Sequence, residues 1–120
     1  MWNAIRRPVD ELRRKIEILQ AHGEAVGRDT SAIERTLYLA MAIRDDPGEA
    51  ERVYAAAMAA NGADAARVER ALCGPPAMIA ERMRPYLDLG FSHFIADLPS
   101  PYDEETMERL IGEVKPLLDP

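Results

Sequence analysis

Two apolar runs of strand length, TLYLAMAI at residues 36–43 and GFSHFIADL at residues 90–98, are separated by about 45 residues of helical patterning. A hairpin cannot join runs so far apart. They are expected to pair as parallel strands through a right-handed helical crossover. In the first run Leu37, Leu39, Met41 and Ile43 fall on one side, and Tyr38, Ala40 and Ala42 on the other. A strand with two apolar faces is buried between layers, which points to an α/β fold. Its leucine, alanine and methionine content suits a helix almost as well, so its neighbours decide. The second run reads as a buried strand ending in an aspartate.

The rest of the chain carries helical signals. Val9, Leu12, Ile16, Leu19 and Val26 form one stripe from about Pro8 to Val26, with Gly27 as the left-handed stop. Ser31 and Glu34 have capping-box spacing before a short turn. Asp46 and Pro47 open a helix whose apolar face is Val53, Tyr54, Ala57 and Met58, and Asn61-Gly62 closes it. Ala65, Val68 and Leu72 suggest a shorter helix from Asp64 to Leu72, before the break at Gly74-Pro75-Pro76. Ile79, Met83 and Leu87 mark another helix, closed by Gly90. A last helix after Asp103 has Met107, Leu110, Ile111, Val114, Leu117 and Leu118 at helical spacing.

The predicted order is helix, strand, three helices, strand, helix: about two parallel strands with four to five helices. One helical layer over two such strands leaves a sheet face and both edges without cover. The expectation is part of a larger α/β fold, or a homo-oligomer whose copies cover one another, a two-fold dimer being the commonest arrangement.

Composition narrows the function classes. The 120 residues, 48% hydrophobic and 30% charged, have the profile of one globular domain spanning 1–120. A formal charge of −6 disfavours nucleic acid and anionic membrane surfaces as partners. No apolar run approaches a membrane span, and MWNAIRRPVDEL lacks the apolar core of a secretory signal. Cys73 is the single cysteine, which suits a reducing cytoplasm.

Two stretches carry a family resemblance. ELRRKIEILQAHGEAVGRD at 11–29 and AERMRPYLDLGFSHFIADLPSPYDEETMERLIGEVKPLL at 80–118 resemble the carboxy-terminal part of luciferase-like monooxygenases, a superfamily that includes the deazaflavin (coenzyme F-420) dependent oxidoreductases. The opening Met-Trp-Asn is similar to the end of an Ala-Asp-x-Trp-Asn strand found in many members. The resemblance implies an eight-stranded (β/α) TIM barrel, which takes roughly 250 residues. This chain would supply the last quarter of it as a partial barrel fragment. GFSHFIADL would be the last barrel strand and PSPYD the loop leaving its carboxyl end, where the parent would bind FMN or coenzyme F-420.

The resemblance makes Trp2 and Asn3 cofactor-binding candidates, and Asp97 joins them by its strand-end position. It assigns no catalytic residue. The family's glycine-rich, phosphate-cradling segment lies upstream of the Trp-Asn position, so the isolated chain is expected to hold no cofactor and not to catalyse alone. Gly74-Pro75-Pro76-Ala77 stands where the family usually has Gly-Thr-Pro-Glu, which removes a threonine cap.

Each candidate also has a structural reading. Asp97 either orients a ligand at a pocket mouth or caps the strand end locally. His93, on the same strand face, lies some 13 Å away at about 3.3 Å per residue, too far for an acid–base pair, and is expected to be a satisfied interior histidine. Trp2 and Asn3 either line a pocket or fray. His22 is expected to face solvent, Tyr102 to pack, and Cys73 to be a structural thiol. No His or Cys cluster suits a metal. Two functions follow: a segment of a flavin- or deazaflavin-dependent oxidoreductase, or a stand-alone non-catalytic structural or oligomerising module.

Overall fold

In the computed structural model, which describes residues 1–119 without the side chains of 65–67, strands and helices alternate. The elements are β1 (Trp2–Ile5), α1 (Val9–Ala25), β2 (Arg35–Ile43), α2 (Pro47–Ala60), β3 (Leu72–Gly74), α3 (Pro76–Asp88), β4 (Phe91–Asp97) and α4 (Glu104–Arg109). A π turn (Leu110–Val114) carries α4 directly into α5 (Lys115–Leu118), so these form one helical rod. The class is mixed α/β, with a small open sheet of parallel strands. The sheet runs β1-β2-β3, and β4 also pairs with β2. Four strands replace the two predicted: residues 36–43 are a strand, extended by one residue, and β1 and β3 are additions.

The chain divides into two compact units, one of residues 1–38 and 85–95, the other of residues 39–84 and 96 onward. In the first, β1 lies parallel to the start of β2, with Trp2 opposite Arg35 and Ile5 opposite Tyr38. Its core holds Ala4, Leu12, Ile16, Leu37, Tyr86 and Phe91. The Trp2 and Phe91 rings meet at 5.7 Å. The helix α1 stops as predicted, with Gly27 at φ 70°.

Its buried stripe differs from the expected one at the far end. Val26 is 77% exposed, and the stripe runs instead from Leu12 and Ile16 to the buried Gly23. The chain returns over the last helical turn at that glycine. A Cβ there would sit 2.3 Å from Thr30 Cγ2 and 2.8 Å from the Arg28 carbonyl oxygen. The short 3₁₀ turn Thr30–Ala32 is capped by Asp29 rather than Ser31: the Asp29 carboxylate accepts from the Ser31 N–H at 2.9 Å and its hydroxyl at 2.7 Å.

In the second unit, β3 is parallel to the end of β2, with Met41 opposite Leu72 and Ile43 opposite Gly74. The predicted helix from Asp64 to Leu72 is absent. A 3₁₀ segment (Ala65–Arg70) leads into β3 instead, and the Ala65 side chain lies outside the described residues. Nine residues are too few to nucleate a helix securely, whereas Leu72 and Cys73 gain burial and ladder bonds beside β2. Helix α2 forms as predicted: Asp46 accepts from the N–H groups of Gly48 and Glu49, with Pro47 in the first turn. It places Ala50, Tyr54 and Met58 against Ala42, Ala71 and Cys73.

The last rod overturns part of its predicted stripe. Thr106 and Val114 are fully buried, whereas Met107, Ile111 and Leu117 are 37%, 65% and 48% exposed. The cause is the π turn. The Lys115 N–H bonds the Leu110 carbonyl five residues back, which shifts the helical phase. Pro116 follows immediately and has no N–H to continue the ladder. The strand β4 is also less buried than its composition suggests: Phe91 is 1% exposed, but Ile95 is 43% exposed, and Ser92 and His93 face solvent.

Candidate functional site

The carboxyl ends of parallel strands are where α/β folds place ligands. In the second unit that end carries a polar cluster. Arg44, immediately after β2, donates to both Asp103 carboxylate oxygens at 2.9 and 3.2 Å, to the Ile43 carbonyl at 2.7 Å, and lies 3.0 Å from Glu105. Asp103 also caps α4 by accepting from the Thr106 N–H at 3.2 Å, and accepts the Thr106 hydroxyl at 2.6 Å. That hydroxyl oxygen in turn accepts the Ile43 N–H at 2.9 Å. Burial pushes the Asp103 carboxyl up, but hydrogen bonds from Arg44 and Thr106 outweigh it and hold the group below its ordinary value. These groups satisfy one another, so the cluster anchors the loop that follows β4. Asn61 adds to that anchor by donating to the Ser100 carbonyl. Among the sequence signals, only Asp103 ahead of a helix foreshadowed it.

Asp97 ends β4 at the start of that loop and is half-buried. Its carboxylate makes no hydrogen bond or ion pair among the described residues. The local capping that would explain it structurally is therefore not seen there. His93 is not the interior histidine expected: its side chain is 68% exposed, with Nδ1 3.4 Å from Glu34. Tyr102 is 70% exposed rather than packed. The Cys73 thiol is buried, and burial, reinforced by the Glu51 charge, pushes it up to about 11. That is an inert thiol, as expected.

Trp2 and Asn3 belong to the first unit, while Asp97 belongs to the second. The two residues lie in β1, paired in parallel with Arg35 and Thr36 of β2. Asn3 accepts the Thr36 hydroxyl at 2.7 Å. Trp2 lines a groove of about 620 Å³, together with Met1, Ile18, Leu19 and Ile33. Lys15, His22 and Arg28 edge the same groove. On α1 the participants Lys15, Ile18, Leu19 and His22 have the spacing of a single helix face. Sequence reading missed this groove because it sought the apolar stripe alone.

A cofactor phosphate is often held by free backbone N–H donors at a helix start, and the starts of these helices offer few. Asp46 occupies those of α2 and Asp103 occupies one at α4, where Glu104 and Glu105 add negative charge. Helix α3 begins at Pro75-Pro76, which have no N–H, and the space beside Gly74 is filled by Met78, whose Cε would lie 2.3 Å from a Cβ there. Helix α1 follows Pro8 and has Asp10 and Glu11 in its first turn. Among the described residues no three His, Cys, Asp or Glu side chains converge as a metal site, and no helix is long and apolar enough to cross a membrane. No protein-family profile and no curated protein matches the chain.

Proposed function

We propose that this chain is the carboxy-terminal segment of a luciferase-like flavin- or deazaflavin-dependent oxidoreductase, a partial (β/α) barrel that is not catalytically competent by itself. The Asp97 residue carries the reading: half-buried at the carboxyl end of β4, it has no partner among the described residues and its carboxylate is open to a ligand. The alternation of strands and helices in an open parallel sheet supports it, because such a sheet has edges that further strands would close. In that setting the cofactor, FMN or coenzyme F-420, would supply the redox chemistry. We place the phosphate on residues outside this chain, since its own helix starts carry acidic first turns or prolines. The setting we propose is cytoplasmic.

A fusion tests this. Residues 1–120 would replace the corresponding carboxy-terminal strands and helices of a luciferase-like monooxygenase, and bound cofactor absorbance would be read after desalting. The fusion should retain cofactor, Asp97→Asn should weaken retention, and the isolated chain should retain none. A folded fusion that stays colourless, or a tight yellow complex with the isolated chain, would overturn the reading. The exposed Ile5 and Ile95 of the first unit favour a second one, a stand-alone oligomerising module whose copies would cover them.

A further inference from the structure

We infer that the groove around Trp2 is a binding site for a small amphipathic anion, an inference that does not depend on the barrel reading. Its apolar lining is Met1, Trp2, Ile18, Leu19 and Ile33, and its volume of about 620 Å³ lies within the range of small-molecule sites. Its polar lining is basic: Lys15, His22 and Arg28 contribute to it, and no carboxylate does. The whole chain carries a formal charge of −6, so a rim without carboxylates departs from the average surface. A neutral apolar ligand would leave the cations unused, and a cationic one would be repelled. An anion with a flat or chain-like apolar body uses both parts.

The individual groups are available. The Arg28 side chain makes no ion pair or hydrogen bond among the described residues. Lys15 lies 3.6 Å from Glu11, with both side chains about half exposed, and so loose a pair is readily exchanged for a ligand anion. Trp2 gives an aromatic wall held by its contact with Phe91.

Trp2 is also the single tryptophan of the chain, so its fluorescence reports a dye bound near it, and the substitutions below place that dye in the groove. The probe is anilinonaphthalene sulfonate, and the control is N-phenylnaphthylamine, the same rings without the anion. The sulfonate should quench Trp2 saturably, by energy transfer, at one molecule per chain. The neutral dye should bind at least about fivefold more weakly, the scale of one half-exposed charge contact. Arg28→Gln, at an exposed loop position, should reduce the difference between the dyes, and Glu11→Gln, which frees Lys15, should tighten sulfonate binding. Circular dichroism checks that each variant is folded, and Lys15→Gln replaces Arg28→Gln if that one is not. Equal binding of the two dyes, sulfonate binding indifferent to these substitutions, or dye fluorescence without transfer from Trp2 would each overturn the inference.

Discussion

Asp103 does two things with one carboxylate: it caps α4 and it holds Arg44 at the end of β2. Asp103→Ala should destabilise by about 2–4 kcal/mol in urea denaturation, because a cap is lost and a largely buried guanidinium loses its main partner. Its protonation has a definite sign. The unfolded carboxyl titrates near 3.8 and the folded one below that, so its contribution is complete above 3.8 and is lost as pH falls through the lower folded value. The stability of Asp103→Asn should therefore fall less steeply with acid in that window than the parent's. Thr106 is fully buried and receives the Ile43 N–H, so Thr106→Val should cost about 1–3 kcal/mol by stranding that donor, while Thr106→Ser should cost much less.

At the scale of elements, two glycines should respond oppositely to alanine. Gly23→Ala drives a methyl against Thr30 and the Arg28 carbonyl and should destabilise by about 1–3 kcal/mol. Gly112, inside the π turn, faces open space where an alanine methyl would sit, so Gly112→Ala should stabilise by about 0.5–1 kcal/mol. Thermal melts of both variants decide this. The same rod gives a third test. Val114→Ala should cost about 1.5–3 kcal/mol, and Leu117→Ala, at a half-exposed position, clearly less. Equal shifts would mean that the π turn does not set the phase.

At the scale of the whole molecule, β2 is largely buried and the exposed apolar side chains lie on other elements. An open parallel sheet leaves strand edges unpaired, and Ile5, Ile95, Ile111 and Leu117 are exposed apolar side chains. We expect self-association, a dimer first, through an apolar interface on the order of 1,000 Å² or more. Sedimentation equilibrium at micromolar concentration should give a mass of two chains. A single-chain mass over that range would remove the oligomer from the account.

Local rules were enough for some of this protein. Pro8 and Gly27 bracket α1, Asp46-Pro47 starts α2, Gly90 closes the stretch after α3, and the two-faced run at 36–43 is a buried strand. Each depends on contacts within a turn or two, or on a period that the sequence displays. The place of Asp97 at the end of β4 was legible in the same way, as a polar residue closing an apolar run. What tertiary structure decided was non-local. Leu72 and Cys73 became a strand because β2 was there to pair with, and Gly23 joined the core because the chain folded back over it. The Ile43 N–H found its acceptor 63 residues away, on Thr106. The π turn displaced the last apolar stripe, and the Trp2 groove gathered one strand, one helix face and one loop. Periodicity says which side of an element is apolar; which neighbour meets that side, and at what register, is set by pairings and close approaches between distant residues that no local pattern records.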